Sequence, residues 1–190
     1  MPVEIQIDKS RFDPRAVDIP QNRITAAEFR ALNRTATGVR AEASRQLRKT
    51  VRLKASKIKD GVFLDRADRS SLTARIRFSG KPIGLIHFGA RQTKLGVSAS
   101  VLKSSKRSIL KHAFIPRGLA TNVFERDIDK PRKPRKWGES DLPIKKLFGP
   151  SLASVVEGRN LEGLSRYTLD RLAREVAHEL DRELVKLGWK

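Results

Sequence analysis

Hydrophobic residues change their spacing twice along this 190-residue chain, and each change marks a change of structure. Near the start, Val3, Ile5 and Ile7 alternate with polar residues, which predicts a short strand. An extended stretch carrying Pro14 and Pro20 follows. Phe29, Leu32, Ala36, Val39, Ala43, Leu47 and Val51 then recur at three- and four-residue steps. They form one stripe of a long helix, with Arg30, Arg34, Arg40, Arg45, Arg48 and Lys49 opposite. Thr25 and Glu28 have the spacing of a capping box, so this helix is expected to start at Thr25 and run to about Lys54. Ala36 and Ala43 are small enough to let it lie close to a sheet. A second, shorter helix is expected from about Ser56 to Asp65, with Ile58, Phe63 and Leu64 inward and Gly61 weakening it.

The period then falls to two. Leu72, Ala74, Ile76 and Phe78 alternate with Thr73, Arg75, Arg77 and Ser79, the pattern of a half-buried strand, and Ser79-Gly80-Lys81-Pro82 is turn chemistry. Further strands are expected over 83–88, 96–102, 109–115 and 122–126, with Gly84, Gly89 and Gly96 as bulge or turn residues. No helical segment separates these strands, so the sheet should be largely antiparallel. Residues 127–140 are expected to form an extended basic loop, because Pro131 and Pro134 interrupt it. A strand is expected from Leu142 to Phe148, and Ser151 can cap a short helix to about Val156. Leu164, Leu169, Leu172, Val176, Leu180, Leu184 and Leu187 predict a second long helix, with Glu175, Glu179 and Arg182 outward and Gly188 at its C′ position. The fold class expected is α+β: a largely antiparallel β-sheet packed against a long N-terminal helix and a long C-terminal helix, with extended basic loops. Residues 1–24 read as an extended arm and 25–190 as a single domain.

Charge changes this picture more than composition does. Lys and Arg number 41 against 21 Asp and Glu, a formal net charge of +20. That far exceeds the magnitude of about 2–8 that keeps a small domain soluble, and such a surface attracts polyanions, nucleic acid first. With no cysteine, disulfides, thiol catalysis and thiolate metal sites are excluded. No apolar run approaches the roughly 20 residues of a membrane span, and the first residues lack a signal peptide's pattern, so no membrane partner is expected.

No catalytic or cofactor motif is legible. His87, His112 and His178 lie on three separate elements without metal-ligand spacing. Glu175 and Glu179 are spaced as one helix face, which reads as solvated rather than as an acid/base pair. There is no phosphate-binding glycine loop. The chain is therefore expected to be no enzyme and to hold no cofactor or metal. The positive signal lies in two basic clusters: Lys103, Lys106, Arg107 and Lys111, and then Lys130, Arg132, Lys133, Arg135 and Lys136. Cations on loops neutralise phosphates without reading bases, so non-specific backbone contact with DNA, or contact with a protein partner, is expected of them. Trp137 either stacks on a base or anchors its loop.

The order of segments resembles the prophage minor tail protein Z family of lambda-like phages. The likeness runs through Ala31-Leu32-Asn33-Arg34-Thr35-Ala36, the basic stretch 51–67, Ala74-Arg75-Ile76-Arg77 and Phe88-Gly89-Ala90-Arg91-Gln92-Thr93-Lys94 into Gly96-Val97-Ser98. It continues through His112-Ala113-Phe114-Ile115-Pro116, Val123-Phe124-Glu125-Arg126 and the run from Leu142 to Ser151. The resemblance spans about residues 25 to 187 and leaves the N-terminal arm aside. It implies a non-enzymatic virion protein at the head-proximal end of the tail, the neck, assembled in the host cytoplasm. It also implies a sixfold ring of this chain, tail terminator and head–tail connector proteins as partners, and a part in joining head to tail and positioning the DNA end. The rival expectation is a non-specific nucleic-acid-binding protein that acts outside a virion.

Overall fold

The computed structural model describes residues 3–7, 20–116, 122–127, 130, 133–134, 140–141, 143–159 and 161–188; at 3–7, 133–134, 140–141, 158–159 and 161–162 it describes the backbone alone. In chain order the elements are β1 (Val3–Ile7), α1 (Gln21–Thr50), α2 (Ala55–Asp60), β2 (Val62–Asp65), β3 (Ala74–Phe78), β4 (Ile83–Gly84) and β5 (Arg91–Thr93). They continue with β6 (Gly96–Ala99), β7 (Ser108–Leu110), β8 (Ala113–Phe114), β9 (Phe124–Arg126), β10 (Lys133–Pro134), β11 (Ser140–Asp141), β12 (Ile144–Lys146), β13 (Phe148–Gly149), α3 (Leu152–Arg159) and α4 (Leu161–Lys186). The fold is α+β, and every strand pair among the described residues is antiparallel, as expected. Among the described residues the strands form not one sheet, however, but five ladders of two or three strands.

The chain divides into two compact units: residues 1–47, 59–80 and 152–190 form the first, and residues 48–58 and 81–151 the second. In the first unit β3 is the central strand of β1-β3-β2. The N-terminal arm thus contributes a strand to this sheet, with Ile5 opposite Ile76. β3 buries Ala74, Ile76 and Phe78 and exposes Arg75 and Arg77, the alternation read from the sequence. The α1 stripe is buried from Leu32 through Ala36, Val39 and Ala43 to Leu47. Ala36 and Ala74 touch in one cluster with Leu32 and Ala67, so the small residues do bring helix and sheet together.

Both ends of α1 differ from expectation. The helix begins one turn earlier, at Gln21, where the Pro20 carbonyl accepts from the Arg23 and Ile24 amides at 2.9 and 3.2 Å. Thr25 is inside the helix, and its hydroxyl donates back to the Gln21 carbonyl at 3.0 Å, so it caps nothing. The helix stops at Thr50 because extended chain competes for the next backbone groups. Lys103 N–H donates to Thr50 O and Arg52 N–H to Val101 O, both at 2.9 Å. The expected helix over 56–65 is also shorter. It ends at Asp60, and β2 follows with Phe63 exposed rather than inward. Gly61 makes the break: a Cβ there would sit 2.6 Å from the buried Leu152 side chain of α3.

The largest departure is on α4. Leu169, expected inside, is 54% exposed, while Glu179 and Glu183, one of them expected outside, are buried. The inner face is turned because these carboxylates meet arginines of α1. Arg30 Nε lies 2.7 Å from Glu179 Oε2 and its Nη2 2.7 Å from Glu183 Oε1. Arg34 Nη1 lies 2.8 Å from Glu179 Oε1. Arg171 reaches Glu175 at 3.0 Å and passes so close to Gly38 of α1 that a Cβ there would come within 2.2 Å of its Nε.

Three carboxylates of this unit are held below their usual range. A hydrogen bond from Arg77 does this for Asp65, hydrogen bonds from Ser70 and the Ser71 amide for Asp68, and a hydrogen bond from Lys186, with Arg30 nearby, for Glu183. Each is more acidic folded than unfolded, so its contribution is complete above the ordinary carboxylate range and is lost as pH falls through the folded value. The melting temperature should hold steady near neutrality and drop from about pH 5 downward. Thermal melts followed by circular dichroism across this range check this; a flat profile to about pH 3 would contradict it.

In the second unit Leu85, Phe88, Val97, Ala99, Ala113 and Val123 form the core. Around it lie three ladders, β5-β6-β7, β12-β9-β8 and β13-β4. The expected strand over 83–88 is only two residues long; Leu85–Phe88 form a 3-10 turn that ends at Gly89 in the left-handed region, φ 69°. That turn swings Phe88 fully inside, where Gly149 lies so close that a Cβ would come within 2.5 Å of the ring. The expected strands over 96–102 and 109–115 are likewise shorter, as β6 and as β7 with β8. Gly96 opens β6 directly after the turn at 94–95, with φ 137° and a Cβ position 2.1 Å from Leu110 O.

Candidate nucleic-acid and partner interface

Charge divides unevenly between the two units. Of the residues of the second unit 21 are Lys or Arg and five are Asp or Glu, a formal +16; the first holds 20 against 16, a formal +4. The unit assembled from 48–58 and 81–151 therefore holds four fifths of the net charge of +20.

Lys103, Lys106 and Arg107 lie in the loop between β6 and β7, and Lys111 in the turn between β7 and β8; all four are exposed. The loop is seated by Val51 bridging Leu102, which sets it beside the end of α1 and the Arg52 side chain, whose Nη2 donates to Lys103 O at 3.4 Å. Lys49 and Arg52 thus join the basic loop, a continuity that sequence reading missed because the two segments are some 50 residues apart. Lys103, Lys106 and Lys111 have no carboxylate within ion-pair distance among the described residues.

Arg107 is engaged differently. Its Nη2 donates to Gly89 O at 2.6 Å and Ser98 O at 2.9 Å, and its Nε to Ser98 Oγ at 3.0 Å. It ties the loop to the turn that buries Phe88. Lys130 pairs with Asp127 at 3.0 Å. Arg132, Arg135, Lys136 and Trp137 lie outside the described residues, as does the side chain of Lys133, whose backbone pairs with Asp141 in a two-residue ladder.

Sequence reasoning also missed the outer face of β12-β9-β8. The register sets Phe114, Phe124 and Lys146 in one row and Arg126 and Ile144 in the next. The Phe114 and Phe124 rings are 6.2 Å apart, Arg126 lies 5.7 Å over Phe114, and Lys146 lies 5.2 Å over Phe148. His87 sits nearby, half-buried; burial first, then the cations Lys57, Lys146 and Lys54, hold its imidazole below the ordinary range. His112 and His178 are exposed, and neither joins His87.

The Glu175 and Glu179 carboxylates are not the solvated face that their spacing implied. They belong to the arginine network of the first unit, which borders an open cleft of about 430 Å³ lined by Asn33, Arg34, Thr37, Arg66, Arg171 and Glu175. Among the described residues no group of three or more His, Cys, Asp or Glu could hold a metal ion, and no helix is long and apolar enough to cross a membrane.

These observations define a class: a basic α+β protein with its charge gathered into one unit and aromatic side chains interleaved with cations on a sheet face. The family model described as prophage minor tail protein Z matches residues 17–187. The chain belongs to that family; it is a structural protein of a phage tail, found in the virion in association with other virion components. No curated protein and no solved structure matches it.

Proposed function

We propose that this protein completes the phage tail at its head-proximal end, in the neck, where it joins head to tail and holds the DNA end in position. Residues 25–190, both compact units together, act as the tail-completion domain, in a sixfold ring matching the symmetry of a siphophage tail. Its neighbours are the tail terminator and the head–tail connector proteins. It is made in the host cytoplasm and incorporated during virion assembly. Its role is mechanical: it interlocks and neutralises charge, and no bond is made or broken.

The observation that carries this reading is the concentration of +16 in one unit of a tail protein. Repeated around a ring, such a unit raises a strong positive field where DNA or an acidic neighbour would lie. Lys103, Lys106 and Lys111, with Lys130, Arg132, Lys133, Arg135 and Lys136 of the second cluster, supply the contacts to phosphate; Arg107 shapes the first loop. Contacts of this kind fix position without selecting sequence.

The test is deletion of the reading frame from its prophage, followed by induction, electron microscopy of the lysate and a count of infectious particles. Separate heads and tails, or joined particles that do not infect, are expected, with the defect restored by the gene in trans. Normal particles at normal titre would overturn the proposal and favour a nucleic-acid-binding protein that acts outside the virion.

A further inference from the structure

We propose that the outer face of β8, β9 and β12, extended by Phe148, is a platform for single-stranded nucleic acid, with Phe114, Phe124 and Phe148 as stacking surfaces and Arg126 and Lys146 as phosphate partners. Identifying the strand as DNA rests on the proposed tail-completion role; the stacking chemistry rests on the rings themselves.

The face is unusual in composition. Phe148 and Ile144 are 51% and 56% exposed, and Phe114 and Phe124 are half-buried. Leaving so much apolar surface in water is unfavourable unless something covers it. What covers it is indicated by the charges between the rings. Arg126 and Lys146 stand on this face, and no carboxylate does so among the described residues. The one acidic residue of the ladder, Glu125, is out of step with Phe124 and Arg126 and pairs with Lys145 at 3.2 Å. An acidic protein surface would find the cations but leave the rings uncovered. A duplex would meet the cations through phosphate and also miss the rings, because its bases are stacked on one another. A single strand presents both a base face and a phosphate at each nucleotide, and so matches rings alternating with cations.

The geometry fits stepwise occupation. Lys146 lies on the Phe148 ring and Arg126 on the Phe114 ring while no ligand is bound. Each such contact covers a ring with a weak, exposed cation–π pair. A base can displace the cation from the ring, and the cation then moves to the adjoining phosphate. At the end of the row Lys146, His87 and Asn122 converge on Gly84, each within 3.9 Å of where a Cβ would stand.

The experiment uses the full-length chain and fluorescence anisotropy with labelled oligothymidine of about 16 nucleotides, an upper site size for one such surface, beside a duplex of equal length. The oligothymidine should bind more tightly than the duplex. Phe148→Ala should weaken it roughly five- to 100-fold, the effect of losing one stacked base, and leave duplex binding unchanged. Phe148→Tyr should restore it. Phe148 is chosen because its exposure spares the core; circular dichroism melts confirm that the variant folds. Lys146→Gln should reduce the salt slope for the single strand by about 0.7. Equal affinity for the two probes, or Phe148→Ala without effect on oligothymidine, would overturn the proposal. It would leave the tail-completion reading standing if alanines at Lys103, Lys106 and Lys111 still weaken duplex binding. Oligothymidine binding unchanged by Phe148→Ala, together with failed particle assembly, would assign the face to a protein neighbour and also overturn it.

Discussion

Replacing Glu179 with alanine is expected to lower the stability of the protein by about 3 kcal/mol, the low end of the range for stranding buried charge. The Glu179 side chain is fully buried; it accepts a hydrogen bond from Arg30 at 2.7 Å and pairs in charge with Arg34 at 2.8 Å. Its removal leaves a cavity, with Arg30 paired to Glu183 alone and Arg34 left only the 4.0 Å contact with Glu175. The arginines are 29% and 44% exposed, so part of their charge regains water, which holds the cost to the low end. For a chain of this size the loss corresponds to a fall of roughly 6–12 °C in melting temperature. Urea denaturation should show a lower midpoint with an unchanged slope. Arg45→Ala is the comparison, since Arg45 is 63% exposed and pairs with Glu42 within the same helix, and exposed pairs contribute less than about 1 kcal/mol. A change at Glu179 no larger than that at Arg45 would show that the network contributes little.

Alanine at Lys103, Lys106 and Lys111 together is expected to leave the fold intact and to weaken DNA binding on the order of 100-fold at physiological salt. The figure follows from a salt slope of about 0.9 per phosphate contact, which at roughly 0.15 M is about fivefold for each lysine. The slope of log affinity against log salt should flatten by about 3, equally for unrelated sequences. Arg107 is left in place because its hydrogen bonds to Gly89 and Ser98 hold the loop, so that its loss would confuse shape with charge. Expressed in trans in the deletion strain, the triple variant should yield few infectious particles. Full titre with unchanged DNA affinity would remove these three lysines from the proposed mechanism.

Much of the fold was legible in sequence, for a reason visible residue by residue. The stripe from Leu32 to Leu47 and the alternation from Ala74 to Phe78 are buried as read, since periodicity reports burial directly. It failed where burial was decided by a distant partner. Glu179 counts as outward by charge, yet Arg30, some 150 residues away, draws it and Glu183 in. Leu85–Phe88 have the apolar run of a strand, but left-handed Gly89 closes them into a turn. Of the candidate interface, the lysine loop was legible from composition alone. The role of Arg107 was not, because its acceptor Gly89 is 18 residues away. Nor was the aromatic face, since only the register brings Phe114, Phe124 and Lys146 into one row. The division of charge was hidden because the basic unit is assembled from two separated stretches of chain.

That division also bears on timing. A unit with 21 cations and five anions repels its own copies, and the repulsion reaches across a Debye length of about 8 Å at physiological salt. For the proposed ring, this repulsion opposes the approach of free copies in solution. Contact with a polyanion, or with an acidic neighbour, cancels the repulsion locally. Oligomers would then nucleate at the site where the anion is already in place, and the excess of arginine and lysine would act as a latch against premature self-association.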